Sequence, residues 1–257
     1  MSVEFGGIPS QQTIRCGLSI PSLNNVAGST QMGWLVINSL PPGPDPDHKY
    51  APISSSIGPP PGVTFQSRAE IEVEDLPSSG VFARYNIVCR ALDSDAESII
   101  SSANNVVMLG VRQHVATTID FNTRECKIYL NGVLIATGIG ANLTAGNSDN
   151  TDGKVMALGS EDDGLSEFFD GRLEDARQYD RVLSADEIQT IYECEGVDGI
   201  AFGLQQRYEL QSGFEGQNVS QLSPQDSAAQ QLNASVTSAN SPVYRESIGP
   251  TFRRRLP

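Results

Sequence analysis

Basic residues, aromatic residues and closely spaced cysteines are all scarce in this chain of 257 residues, and each scarcity excludes something. Lysine and arginine number 17 against 31 aspartates and glutamates, a formal charge of −14. Nucleic acid is thereby excluded as the main partner, because neutralising phosphates needs a basic face. Trp34 is the single tryptophan, too few for a broad sugar cleft floored by stacked rings. Cys16, Cys89, Cys126 and Cys194 contain no pair at metal-ligand spacing, so four reduced and mostly buried thiols are expected. His48 and His114 are far apart, with no nucleophile pattern or glycine-rich phosphate loop beside them, and both read as non-catalytic. No run of about 18 apolar residues is present, so no membrane-spanning segment is expected. The opening MSVEFGGIPS has neither a basic nor an apolar leader region, and the expectation is synthesis in a cytoplasm.

What the chain does have is turn chemistry. Gly 24 and Pro 15, with 19% charged residues, suit many strands and turns in an all-β protein. Strands are expected over 1–5, 13–20, 32–40, 62–76, 81–92, 105–112, 114–121, 125–130 and 154–159. A proline-rich loop covers 41–46, another loop 93–104, and a long polar loop 141–153. Asn131-Gly132 is the sharpest local signal, since a two-residue type I′ turn needs positive φ at both positions; it predicts a hairpin over 125–138. Ala69, Ile71 and Val73 alternate with Glu70, Glu72 and Glu74, which predicts one buried face and one solvated, carboxylate-lined face. Phe168 to Tyr192 starts as a strand and then changes period. Leu183, Ile188, Ile191 and Tyr192 recur at helical steps, and Ser184 with Glu187 forms a capping box at the switch.

Three stretches stand in one order: His114-Val115-Ala116, then Tyr129-Leu130-Asn131-Gly132, then Phe169 to Ile188 with its Phe-x-Gly start and Arg177-x-Tyr179-x-Arg181-x-Leu183-Ser184 run. This resembles the laminin-G-like, concanavalin-A-type jelly roll, with Gln113 in place of the family's tryptophan and Glu174 in place of its aspartate. The resemblance implies a two-sheet antiparallel jelly-roll sandwich over 1–200 with one short late helix. Residues 201–257, rich in glutamine and serine and without a strong period, are expected to form an extended C-terminal arm.

Candidate sites follow, each with a plain alternative. Glu70-x-Glu72-x-Glu74 is similar to the three-carboxylate strand of β-glucanases on this fold, with Glu70 as nucleophile and Glu74 as acid/base; the plain reading, a solvated strand face, is preferred. Asp149, Asn150 and Asp152 in one loop and Glu161, Asp162 and Asp163 in another offer the oxygen ligands calcium takes. The resemblance makes calcium at loop ends possible, and solvated turns are the plain reading. Trp34, Tyr85 and Tyr129 are the few rings available for stacking on a glycan. In the arm, Tyr244, Arg245, Phe252, Arg253, Arg254 and Arg255 combine apolar anchors with positive charge, a set suited to an acidic partner surface.

The body followed by this tail is similar to laminin-G-like proteins of tailed bacteriophages. That resemblance implies a non-enzymatic virion protein made in the host cytoplasm, anchored by the arm to capsid or tail subunits or to sister copies. The alternative is a carbohydrate-binding module that recognises a host surface glycan. A β-glucanase is the third expectation.

Overall fold

Period-two alternation along β5 (Arg68–Asp75) sets the middle of one sheet, with Ala69, Ile71 and Val73 buried in the core. The structure is a computed structural model that describes residues 2–7, 11–16, 23–41, 49–55, 67–75, 83–90, 96–148, 156–161, 166–195, 197–210, 234–236 and 243–245. Numbered in chain order, the strands of this sheet are β14 (Ala234–Val236), β2 (Ile14–Cys16), β11 (Met156–Leu158), β4 (Lys49–Ser55), β5, β6 (Ala83–Arg90) and β7 (Glu97–Ser101), neighbours in that order. The facing sheet runs β10 (Val133–Ile139), β9 (Glu125–Leu130), β8 (Arg112–Asp120), β3 (Gly28–Ile37), β12 (Asp170–Tyr179), β1 (Ser2–Gly6) and β15 (Val243–Arg245). A further strand, β13 (Leu204–Tyr208), lies beside the second half of β12. Neighbouring strands pair antiparallel, and the two sheets enclose one core, an all-β jelly-roll sandwich.

The Asn131-Gly132 turn forms as its sequence requires, with φ of 51° and 79°, and it joins β9 to β10. The capping box also forms. Ser184 Oγ accepts from the Glu187 amide at 3.2 Å, and Glu187 accepts from the Ser184 amide at 2.8 Å, starting helix α1 (Ala185–Cys194). Ile188 and Ile191 of α1 pack with Leu183, Met32, Ala116, Tyr129 and Tyr179 in a second apolar cluster, on the face of β3, β8 and β9 turned away from the main core.

The long run along β12 is architectural. A Cβ at Gly171 would lie 2.2 Å from the Val36 carbonyl oxygen and 2.4 Å from the Phe169 ring, so only glycine fits that close approach. Arg177 is buried and holds Asp175 on one side and Asp198 on the other, the latter through hydrogen bonds of 3.1 and 2.8 Å. Tyr179 Oη donates to the Ile200 carbonyl at 3.0 Å. Together these pin the segment after α1 to the sheet.

Several expectations are corrected. Residues 105–111 form no strand; the strand is β7, inside the stretch expected to be a loop. Gln113 explains the difference: its amide accepts from Met108 N–H and Tyr85 Oη and donates to the Val106 carbonyl, tying 106–108 down without a ladder. β4 went unpredicted beside its proline-rich loop, and β13 lies in a stretch without a clear period. The face of β5 expected to be solvated is covered: Glu70 is 0% and Glu72 1% exposed.

Candidate functional site

Three carboxylates converge on the outer side of the β4-β5-β6 sheet. Glu70 and Glu72 project from alternate positions of β5, and Glu167 arrives from the segment before β12; each brings one oxygen to a common point, all within 4.8 Å of one another. Glu167 is placed by its backbone, which sits in the left-handed region at φ 52° while its carbonyl accepts from the Ala51 amide at 2.9 Å. Arg68, two residues before Glu70 on the same face, binds Glu70 through Nε at 3.0 Å and also holds Glu97 and Glu161. Lys49 Nζ lies 3.1 Å from Glu72. Asn86, opposite Glu72 in the ladder, donates its NH2 group to Glu72 and Glu74. Glu74 is claimed by Arg84 at 2.7 Å.

Electrostatics in this cluster are unbalanced. Burial pushes the Glu70 carboxyl up, and Arg68 offsets only part of it. Burial likewise raises Glu72 against the pull of Lys49. Glu167 is raised most, by burial first and then by the charges of Glu70, Glu161 and Glu72. One oxygen of Glu70, one of Glu167 and the Asn86 carbonyl oxygen are buried without a hydrogen-bond partner.

The other sequence candidates fare differently. Trp34, Tyr85 and Tyr129 are buried, at 5%, 0% and 4% exposure, so none offers an open ring to a sugar. Trp34 lies beneath α1, stacked on Tyr192 at 5.4 Å with the Arg112 guanidinium 3.5 Å from its centroid. Tyr129 is in the same layer, and Tyr85 stands inside the main core. Residue type alone makes these rings candidates, and the helix that covers Trp34 and Tyr129 is not traceable to that spot from the sequence. His114 is buried beside Trp34, as a structural residue should be. Of the calcium candidates, Glu161 is engaged by Arg68 and Ser166; Asp149, Asp152, Asp162 and Asp163 lie outside the described residues, as do Asn150 and His48. Tyr244 and Arg245 belong to β15, while Phe252, Arg253, Arg254 and Arg255 lie outside the described residues.

Two surface features escaped the sequence reading. Phe202, in the loop after α1, is 81% exposed, with the Arg181 guanidinium 5.2 Å from its ring centroid and Arg181 Nε donating to its carbonyl at 2.8 Å. Asp180 and Gln205 stand alongside, joined by a hydrogen bond of 2.7 Å. A phenylalanine in a polar loop carries no sequence signal separating it from a core residue. The second feature is a cavity of about 270 Å³ between Phe121 and the polar loop residues Leu143, Thr144, Asn147 and Ser148. Among the described residues no helix is long and apolar enough to cross a membrane.

A family model described as the concanavalin A-like lectin/glucanases superfamily matches residues 60–189, about half of the chain. Among curated proteins the search for related sequences finds no match. Among solved structures, the native heptameric SAP-like pentraxin from Limulus polyphemus superposes with a TM-score of 0.56 at 19% identity, covering 77% of this chain and 83% of that one. The IT-sialidase CBM40 of Ruminococcus gnavus, bound to alpha2,3 sialyllactose, superposes with a TM-score of 0.51 at 17% identity, covering 74% of this chain and 96% of that one.

Proposed function

The chain belongs to the concanavalin A-like lectin/glucanases superfamily, and from that premise we propose that it is a non-enzymatic carbohydrate-binding domain whose contact surface is centred on Phe202. The exposed ring carries the reading. An open aromatic face packs the C–H face of a sugar ring, and a guanidinium, a carboxylate and an amide beside it supply the directional hydrogen bonds that sugar hydroxyls take. Beside Phe202, Arg181 is held in place by Glu187 and the Phe202 carbonyl, and Asp180 and Gln205 are joined to each other, so a sugar would use the hydrogen-bonding positions these contacts leave over. The likeness in fold to a domain bound to sialyllactose agrees with it.

Hydrolysis is disfavoured by the state of the carboxylates. Retaining chemistry needs two acids about 5 Å apart and open to the glycosidic bond. Here Glu70 is fully buried and clamped by Arg68, and Glu74 is clamped by Arg84. The virion role ranks below glycan binding, because the part of the arm that holds Tyr244 and Arg245 pairs with β1 of its own chain, and Ala234–Val236 pairs with β2.

The test is a glycan array that includes sialylated oligosaccharides, probed with the full chain and with Phe202→Ala. Retention of a defined glycan by the full chain, weakened at least tenfold in the variant, is the expected result; so exposed a ring should leave stability within about 0.5 kcal/mol. An array with no retained glycan overturns the function. Unchanged binding by the variant overturns the site alone and points to the loop cavity instead.

A further inference from the structure

Glu70, Glu72 and Glu167 are buried, so they do not contribute to the Phe202 site, yet with the half-buried Glu97 and Glu161 at their edge they make a composition unusual for a structural ion-pair network. Among the described residues two cationic groups, Arg68 and Lys49, face five carboxylates: Glu70, Glu72, Glu97, Glu161 and Glu167. Buried charges persist when they are paired or when they coordinate a metal. Arg68 is spent on Glu70, Glu97 and Glu161, and Lys49 on Glu72. Glu167 has no ion pair among those described.

The unpartnered oxygens are independent of the charge count and point the same way. Glu70 is 0% and Glu167 8% exposed, and each leaves one carboxylate oxygen without a donor. Asn86, also 0% exposed, gives its NH2 to Glu72 and Glu74 and leaves its carbonyl oxygen unsatisfied. These are acceptors only. While the carboxyls are ionised, a rotated side chain cannot satisfy them against one another; a proton shared between them or a cation can. Leaving a buried acceptor unmade costs about 1–3 kcal/mol, more for a charged group, so the Glu70 and Glu167 carboxylates, converging on one point with Glu72, ask for a common partner.

We propose that Glu70, Glu72 and Glu167, with Asn86 beside them, form a binding site for one calcium-class divalent cation that ties the segment before β12 to the outer face of β5. The donor set is all oxygen and carries net negative charge, which hard cations select over softer transition metals. The size also fits: ligand distances of about 2.3–2.6 Å put oxygens on opposite sides of one calcium ion about 4.6–5.2 Å apart, and the three carboxylate oxygens fall within 4.8 Å of one another. Glu70 and Glu72 are rigidly placed by the strand, so the ion's role is to fix Glu167 and the segment that carries it. None of these three residues belongs to the loop aspartates 149, 152, 162 and 163 or to Glu161.

The full-length chain is stripped with a chelator, passed into metal-free buffer and titrated with calcium chloride by calorimetry, with bound metal per chain counted by elemental analysis after dialysis. Thermal unfolding is followed with and without calcium. Glu167→Gln and Glu70→Gln are measured beside the wild type; Glu167→Gln removes repulsion and is expected to fold at least as well as the stripped wild type. Calcium binding near one ion per chain that raises the unfolding temperature by several degrees, and that weakens at least tenfold in both variants, is the expected result. Binding that is unchanged in the variants places the ion on other carboxylates and overturns the proposal. Absence of bound calcium, with Glu167→Gln more stable than the wild type in its absence and presence alike, shows that the cluster holds protons instead and overturns it equally.

Discussion

Arg181 grips Glu187 with two hydrogen bonds, 2.9 Å from Nη1 and 2.6 Å from Nη2, across the turn from β12 into α1. The same carboxylate accepts from the Ser184 amide, so one side chain closes the helix cap and ties it to the strand. The Arg181 hydrogen bonds hold the Glu187 carboxyl down, at about 2. Because that lies below the ordinary 4.5, the stabilisation is present in full above pH ~4.5 and fades as pH falls toward ~2. Glu187→Ala is expected to cost about 1–2 kcal/mol at pH 7 by urea denaturation. Glu187→Gln, which can still close the box, should cost about half of that. The gap between wild type and Glu187→Gln should hold from pH 7 to 5 and narrow below 4; a constant gap down to pH 3 would show that the ion pair contributes nothing.

Cysteine chemistry gives a second prediction. The sulfurs of Cys89 and Cys126 lie 3.6 Å apart, one from each sheet, and both residues are 0% exposed. The neighbouring thiol and then burial hold Cys89 protonated, which makes it a poor nucleophile. Cys16 is buried as well, and Cys194 is exposed at the end of α1. A thiol reagent should therefore titrate one fast group per native chain, absent in Cys194→Ser, and all four cysteines once the chain is unfolded. Two fast groups in the native wild type would contradict the burial of the other three.

Where local chemistry decides structure, the sequence was readable. Asn131-Gly132 needs no distant partner to specify its turn, and Ser184 with Glu187 needs only its own four residues. Alternation along β5 gave the core face correctly, because it reports which side chains avoid water. It says nothing about what lies on the other face. Glu70 and Glu72 read as solvated because carboxylates usually are, and only the fold reveals that Arg68 and the segment bearing Glu161 and Glu167 close over them. Trp34 and Tyr129 qualify as glycan-stacking rings by residue type alone, and α1 laid across them takes them out of reach. Two strands after residue 210 escaped altogether: Ala234–Val236 and Val243–Arg245 are three-residue strands stabilised by ladders to β2 and β1, and no period-two signal survives in so short a run. Candidate sites were thus half legible, in residue type but not in neighbourhood.

Burial of a histidine sets the last prediction. His114 is 1% exposed between Trp34, 5.0 Å away centroid to centroid, and Tyr192 at 6.1 Å. Burial, and then the positive charge of Arg177, hold its ring neutral and lower its pKa to about 3. In the unfolded chain the ring takes a proton near the ordinary 6.5, so between those values the unfolded state binds the extra proton. Stability from this group is complete above pH ~6.5 and lost as pH falls toward ~3. The expected loss is about 2 kcal/mol between pH 7 and pH 5. His114→Gln keeps the backbone hydrogen bond from residue 114 to Asn131 Oδ1 while removing the titration. Its stability at pH 7 should be lower than that of the wild type, through the lost ring packing, but it should fall less on going to pH 5. Parallel losses in the two proteins over that interval would show that His114 does not govern the acid sensitivity of this fold.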